Sequence, residues 1–153
     1  MKKYYIAYGS NLNIPQMKFR CPDATIVGRA VIKDYRLMFK GSKTGSYLTI
    51  EKAEGYEVPV GVWAVSEEDE RHLDIYEGCP TFYYKTEMEL DIKGYRTGKV
   101  YRRKCFIYIM HEERVLGLPT ERYCRVCLEG YQHFGFDFSF LRDAYEYSIG
   151  VRK

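Results

Sequence analysis

Residues 3–15, KYYIAYGSNLNIP, pass from a β-strand pattern to a helix start within one short segment. Residues 3–8 are mainly apolar and β-prone, so they predict a first strand. Asn13 is a good capping residue for a short helix that carries Pro15 in its first turn. Before that helix, Gly9 allows the backbone to turn and to approach a ligand closely. The segment therefore predicts a strand, a tight polar loop and a helix in immediate succession.

Further β-prone runs fill most of the first two-thirds of the chain. Pro59 indicates an edge or entry position in one of them, because proline cannot donate to a central ladder. The last two runs are predicted to form a hairpin around Lys93-Gly94. So many β-prone runs in so short a chain favour a sheet that curls into a barrel. The runs cover residues 24–33, 35–39, 46–51, 57–65, 82–92 and 99–110.

Three later segments carry helix signals. Ser66 precedes three acidic residues and predicts a helix start, because serine caps well and acids favour the first turn. That helix is predicted to run to about Tyr76 and to stop at Gly78. The other two are predicted over residues 120–134 and 139–148. Strands and helices together predict one α+β domain over residues 1–153.

The bulk composition argues against several classes of protein. A chain of 153 residues fits one ordinary domain. The formal charge is only +3 and the basic residues are dispersed, which argues against a nucleic-acid partner. No apolar run is long enough to span a membrane, and the apolar start is too short for a signal-peptide core. The five cysteines lack disulfide-type spacing and predict reduced thiols in a cytoplasm.

The loop after the first strand is the first candidate functional segment. Ser10 and Asn11 can donate side-chain hydrogen bonds, and the consecutive backbone N–H groups here can form an anion-binding nest. A nearby helix N-terminus adds positive potential. The same residue types are also common in simple strand-to-helix turns. Taken alone, the loop leaves both interpretations open.

Glu77 is the second candidate, because it falls at the predicted C-terminal end of a helix. The helix dipole is negative there, which disfavours a carboxylate and raises its pKa. Partial burial would raise the pKa further. A carboxylate with a pKa nearer neutrality suits proton transfer at physiological pH. The alternative is an ordinary surface glutamate.

These two segments together resemble landmarks of the γ-glutamylcyclotransferase-like superfamily, which includes the AIG2-like proteins. The first landmark is Tyr-Gly-Ser-Asn-Leu at residues 8–12. The second is Leu-Asp-Ile-Tyr-Glu-Gly at residues 73–78, followed by tyrosine. Further similar segments lie at residues 34–39, 60–63 and 119–135. The resemblance therefore extends over almost the whole chain, with its landmarks in the family's order.

The resemblance implies a fold, an activity and a set of site residues. The fold is α+β, a small mixed β-barrel flanked by helices, with a cavity at one mouth. The activity is release of 5-oxoproline from a small-molecule γ-glutamyl-amine, with no metal or cofactor. Glu77 is the implied catalytic general acid and base. The implied substrate-binding residues are Tyr8, Gly9, Ser10, Asn11, Leu12, Tyr83, Tyr84 and Tyr123.

The sequence departs from the family pattern at two points. Cys79 stands where members commonly carry an aliphatic residue, which bears on the shape of the pocket. Tyr83 and Tyr84 are neighbours, and either can match the family tyrosine that faces the substrate. The pattern does not indicate which of the two hydroxyl groups lies at the site.

Several alternatives stay open beside this assignment. A non-catalytic small-molecule-binding module can use the same barrel, because fold does not fix function. A basic aromatic barrel can bind single-stranded nucleic acid, although this is the weaker reading. Cys124 and Cys127 have the spacing of a redox or zinc half-site, but no second pair exists and they lie within a predicted helix. The leaving amine is open between peptide, amino acid, polyamine and modified lysine, and the oligomeric state is not indicated.

Overall fold

The computed structural model describes residues 2–150. Within that range the chain forms five strands, four α-helices and one 3-10 turn at Ser10–Leu12. The strands are β1 (Lys3–Ala7), β2 (Thr25–Lys40), β3 (Tyr47–Val65), β4 (Tyr83–Gly94) and β5 (Val100–Met110). The helices are α1 (Ile14–Arg20), α2 (Glu67–Tyr76), α3 (Glu121–Phe134) and α4 (Ser139–Ser148).

The strands close into a barrel in the order β1-β3-β2-β4-β5. The neighbouring pairs within this order are antiparallel. The closing pair, β1 with β5, is parallel and meets at Tyr5 and Phe106. The α+β class and the small mixed β-barrel are therefore confirmed.

Strands β2 and β3 are longer than predicted. Each merges two predicted runs, because the breaks in the pattern are irregularities within a strand and not turns. The β2–β3 register shifts between Lys33 and Tyr35, where Asp34 adopts a positive φ of 63°. The Asp34 carboxylate accepts a hydrogen bond of 3.0 Å from the Gly55 N–H on β3. A bulge of this kind bends a ladder without ending it.

The helix starts form at the predicted capping residues. The Asn13 side chain accepts from the Gln16 N–H at the start of α1, with Pro15 in the first turn. Ser66 and Asp69 form a reciprocal capping box at the start of α2. Thr120 caps α3 through its side chain, a role that the sequence analysis did not assign to it. These local signals are confirmed because capping depends on neighbouring residues alone.

The close approach of α3 to the 3-10 turn positions the functional site. A Cβ added to Gly130 in α3 would lie 2.6 Å from the Asn13 nitrogen and 2.8 Å from the Leu12 Cβ. A Cβ added to Gly61 on β3 would lie 2.8 Å from Leu12 Cδ2. Leu12 is fully buried between these two glycines. Its side chain therefore anchors the turn to the barrel and to α3.

Among residues 2–150, no helix combines the length and the apolar character needed to cross a membrane.

Candidate functional site

A cavity of about 180 Å³ opens at one mouth of the barrel. It lies where β1 ends, where the 3-10 turn follows, and where α2 ends. Eight aromatic side chains form most of its lining: Tyr5, Tyr8, Tyr47, Tyr76, Phe82, Tyr83, Tyr108 and Tyr123. The other lining residues are Ile6, Gly9, Ser10, Asn11, Leu48 and Glu77. The polar loop and the candidate acid therefore share one hollow.

Asn11 holds the loop in place through three hydrogen bonds. Its Nδ2 donates to the Tyr5 hydroxyl at 2.9 Å, and its Oδ1 accepts from Arg20 Nη1 at 2.6 Å. Its backbone carbonyl accepts from Trp63 Nε1 at 3.1 Å. Ser10 is also engaged, with its Oγ 3.1 Å from the Tyr76 hydroxyl. These hydrogen bonds therefore hold the loop against the barrel and against the helices α1 and α2.

Tyr123 reaches the same loop from α3. Its hydroxyl accepts a hydrogen bond of 3.1 Å from the Leu48 N–H. The Tyr123 hydroxyl would lie only 3.2 Å from a Cβ placed on Gly9. Glycine at position 9 thus lets the backbone and this hydroxyl share the wall of the cavity.

Glu77 caps the C-terminus of α2 through its backbone and lines the cavity with its side chain. Its N–H donates to the Leu73 carbonyl at 2.8 Å. Burial raises the pKa of the Glu77 carboxyl to about 8, and the positive charge of Arg20 acts in the opposite direction. The residue as a whole is half-buried. The sequence predicted a raised pKa from the helix end, whereas desolvation is the dominant cause in the structure.

Several tyrosines line the same cavity as Glu77. Burial raises the pKa of Tyr5, Tyr8 and Tyr83, and the charge of Glu77 adds to each rise. Tyr8 donates to the Tyr108 carbonyl at 2.7 Å, and Tyr83 donates to the Leu48 carbonyl at 2.8 Å. Tyr5 accepts from Asn11, so its own hydroxyl hydrogen can be donated within the cavity. Near neutral pH these groups are neutral donors beside a carboxyl poised to titrate.

The structure separates the two candidate tyrosines on β4. Tyr83 lines the cavity, whereas the Tyr84 hydroxyl donates to Glu112 Oε2 at 2.5 Å on an exposed surface. Neighbouring residues of a strand point to opposite faces, so only one of the pair can enter the barrel. Leu12 also lies outside the lining, beneath the turn. The expectation that Tyr84 and Leu12 line the site is therefore not met.

The other predicted site residues come together at the cavity. They are Glu77, Tyr8, Gly9, Ser10, Asn11, Tyr83 and Tyr123.

We expect Tyr83→Phe to lower the free energy of unfolding by about 1–2 kcal/mol, because it leaves the buried Leu48 carbonyl without its donor. Tyr84→Phe is the matched control on the same strand, and removing its exposed hydroxyl should change stability by less than about 0.5 kcal/mol. Urea denaturation of both variants checks this difference. Equal losses would contradict the placement of the two side chains.

Sequence reasoning did not assign a role to several residues that support the cavity. Arg20 lies 3.7 Å from the centre of the Tyr76 ring, in addition to its bond to Asn11. The Tyr108 hydroxyl donates to Asp74 Oδ1 at 2.5 Å, and Lys85 binds the same oxygen at 2.9 Å. Asp74 lies in the Leu-Asp-Ile-Tyr-Glu-Gly segment, so a local sequence pattern could have identified it. Arg20 and Tyr108 belong to distant segments without a local pattern.

Metal-ligand geometry is missing from the part of the chain that the structure describes. No group of three or more His, Cys, Asp or Glu side chains there is arranged to hold a metal ion. Cys124 and Cys127 are free thiols within α3, the first half-buried and the second buried.

Comparison with known proteins places these features in a family. The family model described as "Gamma-glutamyl cyclotransferase, AIG2-like" matches residues 5–125. No curated protein matches the sequence.

Several solved structures share the fold. A γ-glutamyl cyclotransferase is 24% identical with a TM-score of 0.79, and the match covers 94% of this chain and 86% of that one. An uncharacterised human protein is 26% identical with a TM-score of 0.76 and the same coverages, 94% and 86%. A yeast γ-glutamyl cyclotransferase specific to glutathione is 10% identical with a TM-score of 0.64, covering 99% and 97%.

Proposed function

This chain belongs to the γ-glutamyl cyclotransferase, AIG2-like family, and we propose on that basis that it is a γ-glutamyl-amine cyclotransferase. The substrate is a small molecule in which a glutamyl unit carries a free α-amine and a γ-amide. The products are 5-oxoproline and a free amine. The observation that carries the proposal is the shared cavity, in which the Glu77 carboxyl faces the same hollow as Gly9, Ser10 and Asn11.

The size of the cavity fits one glutamyl unit. Its volume of about 180 Å³ lies below the range of roughly 300–1,000 Å³ that is typical of sites for drug-sized ligands. A glutamyl unit therefore occupies the hollow, and the amine part of the substrate extends past the mouth. The amide hydrogens of the turn and the Tyr5 hydroxyl are the donors for its carboxylate and its γ-carbonyl.

The proposed chemistry is an intramolecular aminolysis. Glu77 takes a proton from the α-ammonium, and the freed amine attacks its own γ-carbonyl carbon. A new C–N bond closes a five-membered ring, and the carbonyl oxygen becomes an oxyanion. Glu77 then returns its proton to the departing nitrogen as the original C–N bond breaks. The ring nitrogen still carries one proton too many, and Glu77 takes it and passes it to the released amine, which leaves as an ammonium ion. Protons then balance, and the glutamate ends the cycle ionised.

The residues present are adequate for this reaction. A well-oriented intramolecular attack can gain up to ~7–11 kcal/mol from positioning. A placed general base typically contributes about 10²–10⁴-fold in rate. One oxyanion donor contributes roughly 3–4 kcal/mol. Glu77 beside the loop supports all three contributions without a cofactor.

We expect kcat/KM to rise about tenfold per pH unit below pH 8 and to level off above it. The reason is that Glu77 must be deprotonated to act as a base, and burial raises its pKa to about 8. A pH–rate profile between pH 5.5 and 9.5 checks this. An inflection near the ordinary glutamate value would show that Glu77 is not the titrating base.

The function itself is tested by incubating the purified protein with a panel of γ-glutamyl-amines and measuring 5-oxoproline. We expect release with at least one member of the panel. Binding of these compounds without release would favour the non-catalytic binding module. A cytoplasmic location is part of the proposal, because the five cysteines are free thiols and such thiols are typical of reducing compartments.

A further inference from the structure

Three aromatic side chains form a collar at the mouth of the cavity: Tyr47, Phe82 and Tyr123. The Tyr47 and Phe82 ring centres are 6.0 Å apart, and the rings are perpendicular. The Tyr47 and Tyr123 ring centres are 5.0 Å apart at 87°. If the glutamyl unit fills the cavity behind the collar, the leaving amine must extend through the collar.

Arg114 contacts one member of this collar, Phe82, and does not itself line the cavity. Its guanidinium carbon is 4.4 Å from the centre of the Phe82 ring, which is cation–π distance. The residue is half-buried.

The backbone around Arg114 is tied to the segments that carry the collar. The Arg114 N–H donates to the His111 carbonyl at 3.2 Å, and the next carbonyl, of Val115, accepts from the Gly41 N–H at 2.9 Å. Further along, the Leu118 carbonyl accepts from the Ser46 N–H, next to Tyr47. The His111 N–H donates to the Phe82 carbonyl at 3.4 Å. These bonds therefore fix the backbone that carries Arg114 relative to the segments that carry the collar.

The positive charge of Arg114 has no acidic partner among residues 2–150. The acid two positions before it, Glu112, is engaged by the Tyr84 hydroxyl. Some other arginines do pair with acids, such as Arg71 with Glu68 and Arg102 with Glu89. A half-buried guanidinium without an acid, held at a cavity mouth, is well suited to bind a carboxylate of a ligand.

We propose that Arg114 is a specificity-determining residue that binds a carboxylate on the leaving amine. This inference rests on the proposed function, since it assigns the substrate class of the same site. The preferred substrates are γ-glutamyl-amines whose leaving group is an amino acid or another carboxylate-bearing amine. Polyamine conjugates are disfavoured, because they bring positive charge to a cation and offer it no acceptor.

The test compares two substrates that differ by one carboxylate, γ-glutamyl-alanine and γ-glutamyl-ethylamine. We expect the unmodified protein to favour γ-glutamyl-alanine by about 10- to 100-fold in kcat/KM, the range for a charge-assisted hydrogen bond. Arg114→Gln should bring the ratio of the two kcat/KM values close to one. Arg96→Gln, in the turn at the other end of β4, is the matched control and should leave the ratio unchanged.

A ratio near one in the unmodified protein, or a ratio that Arg114→Gln does not alter, would overturn the proposal. A binding measurement separates this failure from failure of the proposed function. In the Glu77→Gln background, calorimetry gives the affinity for each intact compound without turnover. A tighter Kd for γ-glutamyl-alanine that depends on Arg114 supports the carboxylate site even if no 5-oxoproline is formed. Equal Kd values for the two compounds would contradict the proposal, whether or not the protein is an enzyme.

Discussion

Glu77→Gln is expected to reduce 5-oxoproline release by at least about 10²–10⁴-fold, the usual contribution of a general base. The replacement keeps the shape of the side chain and removes the group that exchanges protons with the substrate nitrogens. Because the amide still fills its place in the lining, we expect the loss in kcat and little change in KM. Steady-state kinetics on a substrate identified from the γ-glutamyl-amine panel measures both constants.

Glu67→Gln is the matched control, since Glu67 lies in the first turn of the same helix and is 85% exposed. We expect its turnover to match that of the unmodified protein. Full activity of Glu77→Gln would remove Glu77 from the mechanism. Equal losses in the two variants would mean that damage to α2, and not loss of the base, had been measured.

Glu77→Gln should also increase the free energy of unfolding at alkaline pH. The pKa of Glu77 in the folded protein, about 8, is higher than the ordinary value of ~4.3 in an unfolded chain. The folded state therefore binds the proton more tightly, and this contribution to stability is lost as the pH rises through 8. Glutamine avoids the buried charge, so we expect a gain of about 1–3 kcal/mol at pH 9, reduced by water in the cavity. Urea denaturation at pH 6 and pH 9 measures the difference, and an equal effect at both values would contradict it.

Gly130→Ala is the second substitution with a large expected effect. The new Cβ would lie 2.6 Å from the Asn13 nitrogen and 2.7 Å from the Leu12 carbonyl carbon, both backbone atoms that cannot rotate away. Overpacking of this kind costs about 1–3 kcal/mol or more, which exceeds the ~1 kcal/mol that alanine gains over glycine in a helix. Helix α3 must then move away from the 3-10 turn. We expect a net loss of up to about 2 kcal/mol in unfolding free energy and at least a tenfold loss in kcat/KM.

Gly45→Ala serves as its control, because a Cβ there would meet only the Ser42 hydroxyl oxygen, at 3.4 Å. Thermal denaturation and kinetics on both variants separate a general effect of alanine from the specific contact. If Gly130→Ala were as stable and as active as the control, α3 would not set the position of the loop.

The parts of the molecule that depend on neighbouring residues were predictable from sequence. The predicted capping residues Asn13 and Ser66 both start helices, because a cap bonds to an amide only two or three positions away. The bulge at Asp34 was not predictable, since the bond that stabilises it comes from Gly55 on another strand. The pattern therefore appeared as two short runs where one strand forms.

The candidate site was predictable where it lies in two short motifs. The loop and Glu77 were identified, and both line the cavity. Sequence alone did not separate Tyr83 from Tyr84, because a register shift of one residue exchanges the two faces of a strand. Arg20 and Arg114 were missed for a different reason. The support that Arg20 gives and the role proposed for Arg114 depend on contacts with Asn11 and Phe82, which only the closed barrel brings near them.

The contacts that build the cavity join parts of the chain that are far apart in sequence. Tyr8 and Tyr108 are 100 positions apart, and Ser10 and Tyr76 are 66 positions apart. Joining such distant segments is slow and has a high entropic cost, so these contacts are expected to form late and together during folding. A partly folded chain, in which β1 is not yet paired with β5, is therefore expected to lack the cavity altogether. Substitutions at these long-range contacts would then change the proposed activity mainly by changing the amount of fully folded protein in the cell.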